Sequence, residues 1–215
     1  MKYILQKPNI SSRTGVYPLW VVLHGAYDVA EQAITLFGPE AAARNAFLLA
    51  PQASRPCGDG YCWSFARDAA DIQQLLADVR IQEPIDPERI MLIGFSMGCT
   101  MGGWVLAQHP KTFRLFAALS MGSAFEPWEL DDGGIDLVGL QQASTTTKVL
   151  LAVDQADPYR SNEYFAANLA QFRQVGFQVE TCRPNHGVHD ATDDMKVFVL
   201  NAVDTMMKPI DPKGD

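Results

Sequence analysis

The sequence predicts an α/β fold with a mostly parallel central sheet and helices on both of its faces, and two features carry that prediction. Short apolar runs without polar alternation recur along the chain, which is how strands buried on both faces read. Longer amphipathic stretches, apolar at helical spacing, lie between them. Strand, helix and strand repeated in this way imply a parallel sheet covered on each side.

The expected strands, in order, are "LWVVLHG" (19–25), "NAFLLAP" (45–51), "RIMLIGF" (89–95), "RLFAALS" (114–120), "KVLLAVD" (148–154) and "FQVETC" (177–182). The expected helices are "RDAADIQQLLADVRI" (67–81), "SNEYFAANLAQFRQVG" (161–176) and "DATDDMKVFVLNAVDTMM" (190–207). In the first of these Ala70, Ile72, Leu75, Leu76, Val79 and Ile81 recur at roughly helical spacing, so one face packs inward. No internal repeat or low-complexity linker interrupts the chain. One domain over 1–207 and a loose, proline-bearing tail over 208–215 are expected.

Composition narrows the function. With 17 Lys+Arg against 25 Asp+Glu the formal net charge is −8, a surface that repels nucleic acid and anionic lipid heads. The first residues, "MKYILQKPNISSR", hold an apolar run of only three, and no stretch approaches the ~20 apolar residues of a membrane span. A cytoplasmic protein is expected. Its four cysteines lack the paired spacing of a zinc site, and no cofactor or metal is called for. Cys57 and Cys62 enclose a glycine-bearing turn, so a local bridge under oxidising conditions stays open, to be decided by Cα geometry.

One stretch carries chemistry. In "RIMLIGFSMGCTMGGW" (89–104) a serine stands between two glycines, directly after a strand and at the opening of a helix expected to run to His109. A G-x-S-x-G sequence in that setting makes a strained turn, which glycine tolerates because side chains at 94 and 98 would collide with it. The Ser96 hydroxyl then projects at the carboxyl end of the sheet, and the Met97 amide, at a helix N-terminus, can face a developing oxyanion. The blander reading is a tight turn in which Ser96 only caps the helix.

A serine needs a base and a group to orient it, in the chain order Ser, acid, His. Of the four histidines, His24 precedes the serine and His109 reads as a helix cap. His189 is preferred over His186 because it stands beside the start of the last helix. For the acid, the loop after "KVLLAVD" offers Asp154 and Asp157, and Asp157 is preferred because Asp154 still belongs to the strand. Asp131, Asp132 and Asp136 read as a solvated loop. A second oxyanion donor is expected after "LWVVLHG", from the amide of Ala26 or of Tyr27, with His24 holding that loop by hydrogen bonds.

Two loops should wall the site, "CGDGYCWSF" (57–65) and "GSAFEPWELDDGGIDLVGL" (122–140), since both leave the sheet's carboxyl ends and both carry aromatic rings. Tyr27, Trp63 and Trp128 are the expected substrate contacts; the alternative is that these rings only close the core. With acidic residues at the rim, neutral esters of short to medium acyl chains are expected and anionic ones disfavoured.

These stretches together resemble the phospholipase/carboxylesterase family of small α/β-hydrolase esterases, with a more distant similarity to polyhydroxybutyrate depolymerase-like and dienelactone hydrolase-like proteins. "VVLHGAYD", "LLAPQASRPCGDGYCWSF", "IDPERIMLIGFSMGCTMGGWVLAQHP", "LLAVDQADPYR" and "GVHD" carry the resemblance over Leu19 to Asp190. It implies an α/β-hydrolase fold without a separate cap domain, a triad of Ser96, Asp157 and His189, and oxyanion donors at Ala26 and Met97. Met97 departs from the glutamine common in relatives, and "NHGVH" has an extra histidine. The expected activity is ester hydrolysis through an acyl-enzyme, without cofactor. A thioesterase, a peptidase or a non-catalytic small-ligand binder on the same fold are the alternatives.

Overall fold

The computed structural model describes residues 1–9, 15–122 and 134–206. Seven strands form one sheet: β1 (Tyr3–Gln6), β2 (Tyr17–Leu23), β3 (Phe47–Pro51), β6 (Ile85–Phe95), β7 (Leu115–Leu119), β8 (Lys148–Ala152) and β9 (Val179–Cys182). Their order is β1-β3-β2-β6-β7-β8-β9; β1 alone is antiparallel to its neighbour and every other pair is parallel. A separate hairpin joins β4 (Arg55–Cys57) to β5 (Gly60–Cys62). The helices are α1 (Ala30–Ala43), α2 (Phe65–Gln82), α3 (Met97–Gln108), α4 (Leu137–Ala143), α5 (Asn162–Val175) and α6 (Asp193–Met206).

Successive residues of a strand face opposite sides, so a run apolar at every position builds two cores. Leu19, Val21 and Leu23 of β2 join a cluster with Ile72 and Leu76 of α2, Val105 of α3 and Phe172 of α5. Trp20 and Val22 face the other way, onto Ala33 and Phe37 of α1 and Met195 and Val199 of α6. This two-sided burial is the reason the central strands carry no polar alternation.

Register brings the site together. Leu23 pairs with Gly94, and Phe95, Leu119, Ala152 and Cys182 align across β6, β7, β8 and β9. The loops after β2, β6, β8 and β9 therefore leave one edge of the sheet. The chain reverses its direction of travel across the sheet between β3 and β6, and the crevice at such a switch point is where α/β sheets bind ligands.

Several elements depart from the sequence expectation. Strand β1 is an edge strand whose apolar run is too short to announce itself. Helix α1 contains Gly38 and Pro39, residues that argue against a helix interior; Gly38 instead meets Gln6, whose Nε2 donates to the Gly38 carbonyl at 2.7 Å. Helix α4 occupies part of the segment expected to be loop, capped by the Asp136 carboxylate, which accepts the Val138 N–H at 3.0 Å. Asp131 and Asp132, Trp128 and the expected tail lie outside the described residues, the tail's neighbour Met207 included.

Candidate active site

Ser96 follows β6 with φ 50° and ψ −117°, outside the usual regions for a residue with a side chain. The two flanking glycines answer to sterics. A Cβ at Gly94 would stand 2.6 Å from the Gly98 carbonyl oxygen, and one at Gly98 would stand 2.3 Å from that of Leu23. No side chain fits either position without moving backbone. The turn is held by the Ser96 N–H donating to the Leu119 carbonyl at 2.9 Å, and α3 starts at the next residue.

The Ser96 Oγ lies 3.0 Å from His189 Nε2, and His189 Nδ1 lies 2.7 Å from Asp157 Oδ2. The hydrogen-bond pattern assigns the ring's proton to Nδ1, donated to the carboxylate, leaving Nε2 to accept from the serine hydroxyl. The other Asp157 oxygen accepts the Tyr159 N–H at 2.8 Å. The imidazole sits beside two aromatic rings, Phe95 and Tyr159, each with its centroid 5.3 Å away. Asp157 is buried and the His189 side chain nearly so.

The competing residues have other work. Asp154 accepts the backbone N–H of His186 at 2.6 Å, of Ala156 at 2.8 Å and of Gly187 at 3.1 Å. Burial pushes its carboxyl up, but those amides outweigh it and hold the group below the usual carboxylate range. Asp154 thus ties the acid loop to the histidine loop. His186 is exposed and pairs through Nε2 with Asp194 at 2.8 Å. Buried His24 accepts the Ala53 N–H at Nε2, 3.1 Å, and sits 2.7 Å from the Gly25 carbonyl through Nδ1, fixing the loop after β2. Burial holds its imidazole below the ordinary histidine value. Cys99, one turn into α3, is wholly buried, and burial pushes its thiol up.

A cleft of about 280 Å³ opens on the serine, walled by Ala26, Tyr27, Arg55, Cys57, Cys62, Met97 and Arg160. Ala26 and Met97, the residues from which the oxyanion amides were expected, thus flank Ser96. Tyr27, in a left-handed conformation with φ 63°, stands exposed at the mouth. A larger cleft of about 550 Å³, lined by Ile135, Leu137, Gln141, Gln171, Gln174 and Val175, touches none of these groups.

Trp63 corrects the expectation of a substrate contact. It has no exposed surface, its ring packs 4.8 Å from that of His24, and its Nε1 donates to the His24 carbonyl at 2.9 Å. It supports the loop after β2 from beneath and does not wall the cleft. Phe65, next along, is buried in the same cluster. Cys57 and Cys62 form a disulfide with Cα atoms 5.5 Å apart, within the ordinary span, and the bridge forms part of the cleft wall. Sequence reasoning missed Arg55, Phe95, Tyr159 and Arg160. Arg160 lies three residues beyond Asp157 in "DPYR", a spacing that does not by itself aim a loop side chain at Ser96.

The sheet order, the elbow after β6 and the loops at one sheet edge define an α/β-hydrolase fold, and among the described residues no element forms a separate cap. Solved structures agree on that fold. A carboxylesterase from Bacillus cereus matches with TM-score 0.75 at 15% identity, over 96% of this chain and 94% of that one. Esterase PE8 matches with TM-score 0.71 at 18% identity, over 95% and 98%. A phospholipase/carboxylesterase from Dyadobacter fermentans matches with TM-score 0.68 at 17% identity, over 94% and 95%. No family profile and no curated protein matches the sequence. Among the described residues no helix is long and apolar enough to cross a membrane.

Proposed function

We propose that this protein is a serine carboxylesterase acting on small esters of short to medium acyl chains. The observation that carries the reading is the unbroken contact from Asp157 through His189 to a serine on a strained elbow. The names of the structurally similar esterases support it, and the modest cleft volume favours small acyl groups.

In the first half-reaction Ser96 Oγ bonds to the ester carbonyl carbon while its proton passes to His189 Nε2. Asp157 keeps the ring oriented and stabilises the imidazolium. The carbonyl oxygen becomes an oxyanion facing the amides of Ala26 and Met97. Collapse breaks the bond to the alcohol oxygen, which leaves with the proton from His189. Water then gives a proton to His189 and attacks the acyl carbon; the acid departs and the proton returns to Ser96.

A panel of p-nitrophenyl esters of graded chain length, given to the wild type and to Ser96→Ala, tests this. Turnover of the short members by the wild type alone is expected. Equal turnover by Ser96→Ala, or preference for the longest chain, contradicts it.

A further inference from the structure

We infer that the Cys57–Cys62 bridge positions the oxyanion loop, closing the β4–β5 hairpin into a seat for Tyr27 and Asp28 and so fixing the Ala26 amide before Ser96; this rests on the esterase reading and on Ala26 as an oxyanion donor.

The loop after β2 is held at both ends from elsewhere. His24 accepts the Ala53 N–H at Nε2 and the Trp63 Nε1–H at its carbonyl, and the Ala30 N–H donates to Gln52 Oε1 at 2.9 Å. The middle of the loop meets the hairpin. The Tyr61 N–H turns outward and donates to the Asp28 carbonyl at 3.0 Å, an isolated antiparallel bridge between the two segments. Beside it Gly60 is buried against Tyr27, so close that a Cβ there would stand 2.3 Å from the Tyr27 carbonyl oxygen and 2.7 Å from the Asp28 nitrogen. Tyr27 itself keeps φ 63°, a left-handed conformation that a residue with a side chain holds only where its surroundings impose it.

That seat has little cohesion of its own. Each strand of the hairpin is three residues long, and the pair stands apart from the seven-stranded sheet. A two-stranded ribbon so short is marginal in water. Asp68 pins its base, Oδ2 accepting the N–H of Ser54 at 3.1 Å and of Ser64 at 3.0 Å. The tip, which carries Gly60 and Tyr61, is closed by the bridge between Cys57 and Cys62, in the cleft wall with Ser96 and Ala26. An oxyanion donor stabilises the transition state only while it stays aimed at the developing charge. A hairpin free to open lets Tyr27 and Asp28 drift, and the Ala26 amide drifts with them.

The test compares oxidised wild type with two forms that lack the cross-link, on 4-nitrophenyl acetate. One is Cys57→Ser combined with Cys62→Ser. The other is wild type reduced by dithiothreitol and freed of it before assay; the bridge gains two electrons and two protons, and the reagent closes to its cyclic disulfide. Both should lose about tenfold in kcat, part of the worth of an oxyanion donor, with KM within about twofold and the pH midpoint of kcat/KM unmoved because the triad is untouched. Reoxidation should restore the rate. Gly60→Ala, which pushes Tyr27 off the seat with the bridge intact, should show the same loss, and reducing that variant should add little further. Full kcat in the folded, reduced enzyme overturns the inference and leaves the bridge a stabiliser only. A change confined to KM overturns it too, making the bridge a cleft wall, as do losses from Gly60→Ala and from reduction that multiply. If no ester is turned over, hydrogen exchange of the wild type decides: faster exchange over 26–29 on reduction, with the α3 amides unchanged, upholds the seat while the esterase reading fails, and unchanged exchange there removes both.

Discussion

His189 turns Nδ1 toward Asp157 Oδ2 at 2.7 Å, and the Asp157 side chain is wholly withdrawn from solvent. A carboxylate so placed holds the imidazole in one tautomer. Asp157→Asn should lower kcat by a factor on the order of 10⁴ with the fold intact. Steady-state kinetics beside circular dichroism checks this, and a small loss would move the orienting role elsewhere.

Asp154→Asn should do the opposite, sparing kcat in the folded enzyme and costing about 1–3 kcal/mol of stability as three amides lose a charged acceptor. Because the folded carboxyl titrates below its ordinary value, its contribution is fully present above ~3.9 and is lost as pH falls through the lower folded value. Urea midpoints across that range should fall less steeply in the variant.

His24 gives a second acid-side dependence. Burial lowers its folded value, so the unfolded chain binds a proton that the folded chain refuses once pH drops below ~6.5. Stability should decline from there as pH falls through the folded value. His24→Gln should flatten the decline in urea midpoint between pH 7 and pH 5; an unchanged slope would assign the effect to other groups.

Trp63→Ala should cost about 3–5 kcal/mol by opening a cavity beneath the loop after β2. Denaturant midpoints measure the loss. In the folded fraction the chain-length profile should keep its shape, because the ring does not reach the cleft.

Thiol titration of denatured, unreduced protein should find two groups, Cys99 and Cys182, and four after reduction. Reduction should cost about 2 kcal/mol, the chain-entropy worth of so short a loop. A disulfide weighs against the expected cytoplasmic setting, and four thiols in protein alkylated directly from cells would mean that the bridge is absent there.

The central strands and three helices were legible because each carries one period without interruption. The triad candidates were legible because a nucleophile on an elbow restricts where its partners can follow. What escaped was decided by tertiary contact. Gly38 and Pro39 hide α1, whose place is fixed by Phe37 in the core and by Gln6 across the sheet edge. Trp63 reads as a wall residue by its place in the chain, yet its indole N–H finds the His24 carbonyl beneath the site. Arg160 is a lone cation in a polar loop, and nothing in the sequence says that two turns after β8 aim it at Ser96.

The most direct measurement is mass spectrometry of the protein after reaction with a fluorophosphonate, whose phosphorus takes a nucleophilic oxygen and releases fluoride. A single adduct on Ser96, absent from Ser96→Ala and strongly slowed in His189→Asn, is the result expected of an activated serine. An adduct on Cys99, or labelling that persists without Ser96, would contradict the assignment of the nucleophile.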